Sequence, residues 1–198
     1  GTGSNKVVTI NLPHVALVSK SKEGFFRNID KAMLIARQAL RESNEIIETS
    51  LNKWKILPFL KMTTRDGAPY YNFAERRLTF GLIGMNECLL NLIGGGISSE
   101  EGEKLGLEII SRMAADIAEY SKKDKVVYTL EQTPAESATH KLAMNDRKKF
   151  GKKAHVQGGD NELYYTNSTH VPYNSEVTLP DKIRIEAQYH PYFSGGVI

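Results

Sequence analysis

The chain has 198 residues, enough for one domain or a piece of a larger one, and its 40% hydrophobic and 25% charged residues exclude a disordered or fibrous chain. Its 26 basic and 23 acidic side chains leave a net charge of only +3, spread along the sequence, which argues against a nucleic-acid partner. The single cysteine excludes an internal disulfide and a cysteine-based metal cluster, and neither a membrane-length apolar run nor a signal-peptide pattern is present, so the expected setting is soluble and cytoplasmic.

The β-branched run Lys6–Leu12 predicts a buried strand ended by Pro13. From Lys22 to about Lys53 a helix is expected, with Phe25, Ile29, Ala32, Met33, Ala36 and Leu40 on one stripe that Ile46, Ile47, Leu51 and Trp54 continue. Arg77–Gly84 predicts a second strand whose glycines allow close backbone approach. It leads into a helix over Asn86–Ile93 that Gly94–Gly96 stops. Ser98 and Glu101 have capping-box spacing for a helix reaching about Lys123, with Leu105, Ile109, Met113 and Ile117 inward. Lys125–Leu130 predicts a third strand, followed by a helix from near Pro134 whose end carries the basic run Arg147, Lys148, Lys149, Lys152 and Lys153. That run fits a solvated helix C-terminus, where cations offset the dipole, or a polyphosphate contact. Lys152–Glu162 reads as a surface loop, Leu163–Asn167 as a fourth strand, and Leu179 onward as a short helix stopped near His190-Pro191. Gly195–Ile198 looks like the opening of another strand, so an incomplete domain is expected. Strands alternating with helices define the α/β class with parallel pairing; periodicity alone does not separate a barrel from an open sheet.

Three stretches carry candidate chemistry. In Thr129–His140 a strand gives way to a hydroxyl-rich turn and a helix start, where free N–H groups and the helix dipole suit phosphate oxygens; a Thr133/Glu136 capping box is the plainer alternative. Tyr164–Pro172 places consecutive polar residues after a strand end, and its His170 is either cleft-lining or a structural histidine. Asn11 ends the first strand, where it either faces a site or bonds the turn backbone. Cys88 reads as an inert core thiol, and neither a zinc-ligand spacing nor a P-loop is present.

Five segments in this order, Val7–Pro13, Gly81–Glu87, Leu130–Ser137, Tyr164–Pro172 and Ile185–Pro191 with Gly195-Gly196, resemble the anaerobic (class III) ribonucleotide reductases over nearly the whole chain. The resemblance implies part of a ten-stranded α/β barrel of the glycyl-radical type, enclosing a finger loop, in an enzyme that reduces ribonucleoside triphosphates to deoxyribonucleotides. It implies a glycyl radical installed by a radical-SAM iron-sulfur activase, a thiyl radical on the finger loop, a structural zinc outside this segment, and a homodimer. By the same resemblance, Thr133, Ala135, Glu136 and Ser137 would hold the substrate phosphates, Asn11 would bond the ribose, and Asn167, Ser168, Thr169 and His170 would line the cleft. The chain departs from the family pattern in lacking the essential cysteines and the radical glycine, and in carrying His14 where the family often has arginine. A segment without turnover of its own is therefore expected; the alternative is an inactive nucleotide-binding fragment or homologue.

Overall fold

The computed structural model describes residues 3–72, 76–159 and 162–196. Four parallel strands form one sheet in sequence order: β1 (Ser4–Asn11), β2 (Arg77–Ile83), β3 (Tyr128–Gln132) and β4 (Gly195–Gly196). The helices are α1 (Leu12–Leu17), α2 (Lys22–Asn52), α3 (Met85–Ile93), α4 (Glu100–Asp124), α5 (Glu136–Phe150) and α6 (Leu179–Ala187). The α/β class and parallel pairing expected from the sequence are borne out, and β4 begins where a further strand was expected; Val197 and Ile198 lie outside the described residues.

Strand alternation gives the sheet two different faces. Ile10, Leu78, Phe80, Leu82, Tyr128 and Leu130 point into the core, where they meet Phe25, Ile29, Met33 and Leu40 of α2 and Leu105, Ile109, Met113 and Ile117 of α4. Burying such side chains contributes about 1.5–3 kcal/mol each, so this layer carries most of the stability. The opposite face is a hydroxyl ladder. Thr79 Oγ1 lies 2.9 Å from Thr129 Oγ1 and bonds Ser4, and both threonines donate to Glu131. Thr9 and Thr133 meet further along at 3.5 Å, directly over Gly81. A Cβ at Gly81 would lie 2.4 Å from Thr133 Oγ1, which is the close approach that the glycine permits.

Several boundaries differ from the sequence reading. Pro13 ends β1 by entering the first turn of α1, which Asn11 caps. The α4 cap is Ser99, whose hydroxyl accepts from Gly102 N at 3.1 Å, so Ser98 lies outside the helix. The helix ends at Lys125 in the left-handed region, so β3 starts at Tyr128 and not at Lys125. The Thr133/Glu136 capping box does not form: Ala135 takes the N-cap position of α5. Leu163–Asn167 is no strand but makes isolated bridges, Tyr164 with Gln157 and Asn167 with Ile83, because its backbone groups are divided among a loop, the end of β2 and the Glu87 side chain instead of one ladder. The apolar stripe of α2 is buried as far as Leu40 and again at Leu51, while Ile46 and Trp54 are exposed. At about 1.5 Å per residue α2 is far longer than the strands it covers, and its last turns overhang the sheet. Among the described residues, no helix is long and apolar enough to cross a membrane.

One ion pair ties α2, α4 and β3 together. Arg37 grips the buried Asp124 carboxylate through Nε and Nη2, with Nε 2.7 Å from Oδ2, and the Tyr128 hydroxyl donates to the same oxygen at 2.8 Å. The Arg37 guanidinium holds the Asp124 carboxyl down at about 2. A depressed carboxyl stabilises the fold fully above its unfolded pKa, near 4, and loses that contribution as pH falls towards 2. Asp124→Asn is therefore expected to cost about 2 kcal/mol at neutral pH and to flatten the loss of stability between about pH 4 and pH 2. Urea midpoints across that range check it; parallel pH curves for the two proteins would refute it.

Candidate active-site cleft

The candidate residues gather at the carboxyl ends of β1, β2 and β3, where open and closed parallel sheets alike place their ligands. Asn11 closes β1, Gly84 follows β2, and Thr133 follows β3. Beside them lies a cleft of about 410 Å³ between the first turn of α5, the 164–173 loop and α6. Its walls include Glu136, Thr139, Asn167, His170, Tyr173 and Lys182.

The sequence has no side chain to cap α5, because alanine occupies the N-cap. The first-turn N–H groups of a 15-residue helix therefore stand at its positive end without a side-chain acceptor, and Glu136 and Thr139 of that turn reach the cleft wall. Ser137 is exposed on the same turn. Thr133 sits apart from the cleft wall, on the hydroxyl ladder against Thr9.

The 164–173 loop is anchored from below. Glu87, fully buried in the first turn of α3, accepts from Thr166 N at 2.9 Å, Thr166 Oγ1 at 2.7 Å, Gln157 Nε2 at 2.8 Å and Asn86 Nδ2 at 2.9 Å. Ser168 and Thr169 are buried within the loop: Ser168 Oγ donates to the Leu82 carbonyl at 3.2 Å, and Thr169 Oγ1 accepts from Gln132 at 2.7 Å. Asn167 and His170 face the cleft. His170 Nδ1 lies 3.2 Å from Glu186, whose other oxygen accepts from Val171 N at 2.9 Å.

Asn11 is placed by a second buried acid. Its Oδ1 accepts from His14 N at 3.2 Å as the cap of α1, and its Nδ2 donates to Asp146 at 3.0 Å. Asp146, buried on α5, also accepts from the Tyr165 hydroxyl at 2.8 Å and pairs with His14 Nδ1 at 2.5 Å. Burial, reinforced by the Asp146 contact, pushes the Tyr165 hydroxyl far above the ordinary tyrosine range. Tyr165 in turn lines the cleft, so Asp146 connects Asn11 to it.

Sequence reasoning did not single out Asp146, Glu87 or Lys182. A signal existed for the first: Thr139, Ala143 and Asp146 recur at helical spacing and form the buried stripe of α5. Glu87 was visible as a lone charge in an otherwise apolar helix start. Lys182 joins the cleft only through the packing of α6. Cys88 is fully buried, and burial together with the neighbouring Glu87 charge pushes its thiol well up, which makes it the inert core thiol expected. Among the described residues no group of three or more His, Cys, Asp or Glu is placed to hold a metal.

A parallel α/β sheet with a polar cleft beside the carboxyl ends of its strands defines the class: an α/β protein of the kind that places ligands at that edge. Within that class the family is shown: the model described as anaerobic ribonucleoside-triphosphate reductase matches residues 1–198, and the chain belongs to that family. The chain is 29% identical to an anaerobic ribonucleoside-triphosphate reductase of Haemophilus influenzae and 28% identical to that of Escherichia coli, with 100% of the chain covered in each case. It spans 29% of the length of either relative. A crystal structure of the anaerobic ribonucleotide reductase from Thermotoga maritima, with citrate in its active site, superposes with a TM-score of 0.81 at 26% identity over 99% of this chain and 35% of that one. Another from the same organism, with dATP bound in the specificity site, gives 0.82 at 26% identity over 100% of this chain and 32% of that one. These neighbours are consistent with the sheet's being part of a barrel.

Proposed function

We propose that this chain is the central segment of one catalytic barrel domain in an anaerobic glycyl-radical ribonucleotide reductase, and that it holds ribonucleoside triphosphates for conversion to deoxyribonucleoside triphosphates. The observation that carries this reading is the uncapped N-terminus of α5 facing a cleft at the carboxyl ends of the strands, in a chain of this family. Backbone N–H groups there suit phosphate oxygens, with Thr133, Ala135, Glu136 and Ser137 forming the turn that cradles them. Asn11 donates to a ribose hydroxyl, and Asn167, Ser168, Thr169 and His170 shape the wall that receives the nucleotide. The hydroxyl-lined face of the sheet becomes the inner wall of the barrel.

In the parent enzyme a glycyl radical, installed by a radical-SAM iron-sulfur activase, supplies the thiyl-radical chemistry from residues outside this segment. The contribution of the present residues is to bind and orient the nucleotide and to keep the ribose in register with that chemistry. A structural zinc outside the segment, a homodimeric assembly and a cytoplasmic setting belong to the same reading. The segment by itself binds nucleotide and does not turn over.

Ser137→Asp tests the phosphate cradle. A carboxylate in the first turn favours the helix itself, so the fold is expected to hold or gain slightly, whereas phosphate binding meets like charge. In the full-length reductase the KM for ribonucleoside triphosphate should rise about tenfold, roughly 1.4 kcal/mol. An unchanged KM would remove α5 from the phosphate site. Binding that weakens in a full-length enzyme incapable of any reduction would favour the inactive nucleotide-binding homologue instead.

A further inference from the structure

We propose that Asp146 is the positioning residue for Asn11: it determines which atoms of the Asn11 amide remain available to a ligand. The inference rests on the reading of Asn11 given above and extends it to a residue that touches no substrate.

The geometry is closed on three sides. Asn11 sits at the junction of β1 and α1, where Oδ1 caps the helix by accepting from His14 N at 3.2 Å. That bond removes the ambiguity between the two ends of the amide and turns Nδ2 towards α5. One Nδ2 hydrogen is then committed to Asp146 Oδ2 at 3.0 Å, and the second is the donor left for a ligand. Asp146 itself cannot drift. The Tyr165 hydroxyl holds the same oxygen at 2.8 Å, and His14 Nδ1 holds the other. The His14 ring is braced by an edge contact to Phe150, with centroids 5.7 Å apart. A carboxylate buried to 3% exposure needs such a set of donors to be tolerated at all. Two of its three side-chain donors, Asn11 and His14, come from the β1–α1 junction, so Asp146 locks that junction to α5. The third comes from the loop that walls the cleft.

The exposed edge of the lock is His14, whose side chain is 37% accessible, while the acid beneath it is sealed. The acid and not the histidine therefore sets the Asn11 amide: another donor at position 14 would satisfy Oδ1, but only an acceptor at 146 aligns the amide.

The test uses the full-length reductase that contains this segment, activated anaerobically, with kcat and KM measured for Asn11→Ala, Asp146→Ala, Asp146→Asn and Tyr165→Phe. Asp146→Ala should lower kcat by at least about tenfold while KM stays within about twofold, because the amide is free to rotate away from the ribose yet the phosphates are held elsewhere. Asp146→Asn should recover most of that loss: its carbonyl replaces Oδ2 as the acceptor for Asn11 while its amide takes the place of Oδ1 beside the His14 ring. Tyr165→Phe, which removes one of the donors that hold the same oxygen, should lower kcat in the same direction as Asp146→Ala but by less. A purely structural acid would instead shift kcat and KM together and show no rescue by asparagine, and that pattern overturns the proposal. Should Asp146→Ala fail to give folded enzyme, Asp146→Glu carries the test. It keeps the charge but displaces the acceptor by one methylene, so kcat should fall at constant KM; a wild-type kcat there overturns the role. The two layers separate cleanly. Asn11→Ala with full activity defeats the reading of Asn11 itself, and an inactive Asn11→Ala beside a fully active Asp146→Ala defeats only the positioning role.

Discussion

Glu87→Ala is expected to cost about 4 kcal/mol and to lower the melting temperature by about 10 °C, the largest effect of any single side chain near the site. Glu87 has no solvent exposure and receives four hydrogen bonds, from Thr166 N, Thr166 Oγ1, Gln157 Nε2 and Asn86 Nδ2. Removing it leaves the buried Thr166 and Asn86 donors with no acceptor, at about 1–3 kcal/mol for each one that stays unsatisfied, while the half-buried Gln157 can turn to water. The acid also lies in the first turn of α3, where its charge is favoured by the helix dipole. Glu87→Gln keeps one oxygen and the volume, and should lose roughly half as much. Because Thr166 belongs to the loop carrying Asn167 and His170, the proposed nucleotide site should lose affinity along with stability. Thermal melting of both variants checks the claim, and an alanine variant that melts within 2 °C or so of the parent would show that the loop is held by something else.

Gly84→Ala should be the next most damaging change, at about 3 kcal/mol. Gly84 has φ 72°, in the region where a Cβ costs about 1–2 kcal/mol. The added atom would also lie 2.4 Å from Pro13 Cγ and 2.7 Å from Cδ, in a rigid ring that cannot swing aside. Relief requires α1 to move off α3, and α1 carries the Asn11 cap and His14. Gly84 N meanwhile donates to the Thr166 carbonyl at 2.8 Å, so the same shift pulls on the cleft loop. Gly67→Ala is the matched control. Its φ is 82°, but nothing lies within 4 Å of the added atom, so only the backbone cost of about 1 kcal/mol should appear. Equal losses in the two variants would mean that the Pro13 contact contributes nothing.

The helices and the sheet class were legible because they depend on period. The α2 stripe from Phe25 to Leu40 and the α4 stripe from Leu105 to Ile117 recur at three and four, and both are buried as read. Strand existence was equally plain at Val7–Ile10 and Leu78–Ile83, where β-branched and apolar residues cluster. Boundaries were less secure wherever adjacent residues could do the same job. Ser98 and Ser99 are both competent caps, and only the path of the chain into α4 selects Ser99. Thr133 had the spacing of a cap for α5 but was drawn into the ladder beneath β1, against Thr9. Leu163–Asn167 had the composition of a strand, yet it makes only isolated bridges, to Gln157 and to Ile83 at the end of β2, and its Thr166 N–H goes to the Glu87 carboxylate.

By itself the sequence determined the class of fold, the alternation of strand and helix, the faces that go inward and the hydroxyl-rich turn that opens α5, since each is a property of neighbours along the chain. Tertiary structure alone decided what the buried acids do. Asp146 lies 135 residues from Asn11 and Glu87 lies 79 from Thr166, and no local pattern relates residues so far apart. A buried carboxylate is tolerated only where donors from several elements converge on it, and that convergence exists only once the sheet has brought the elements together.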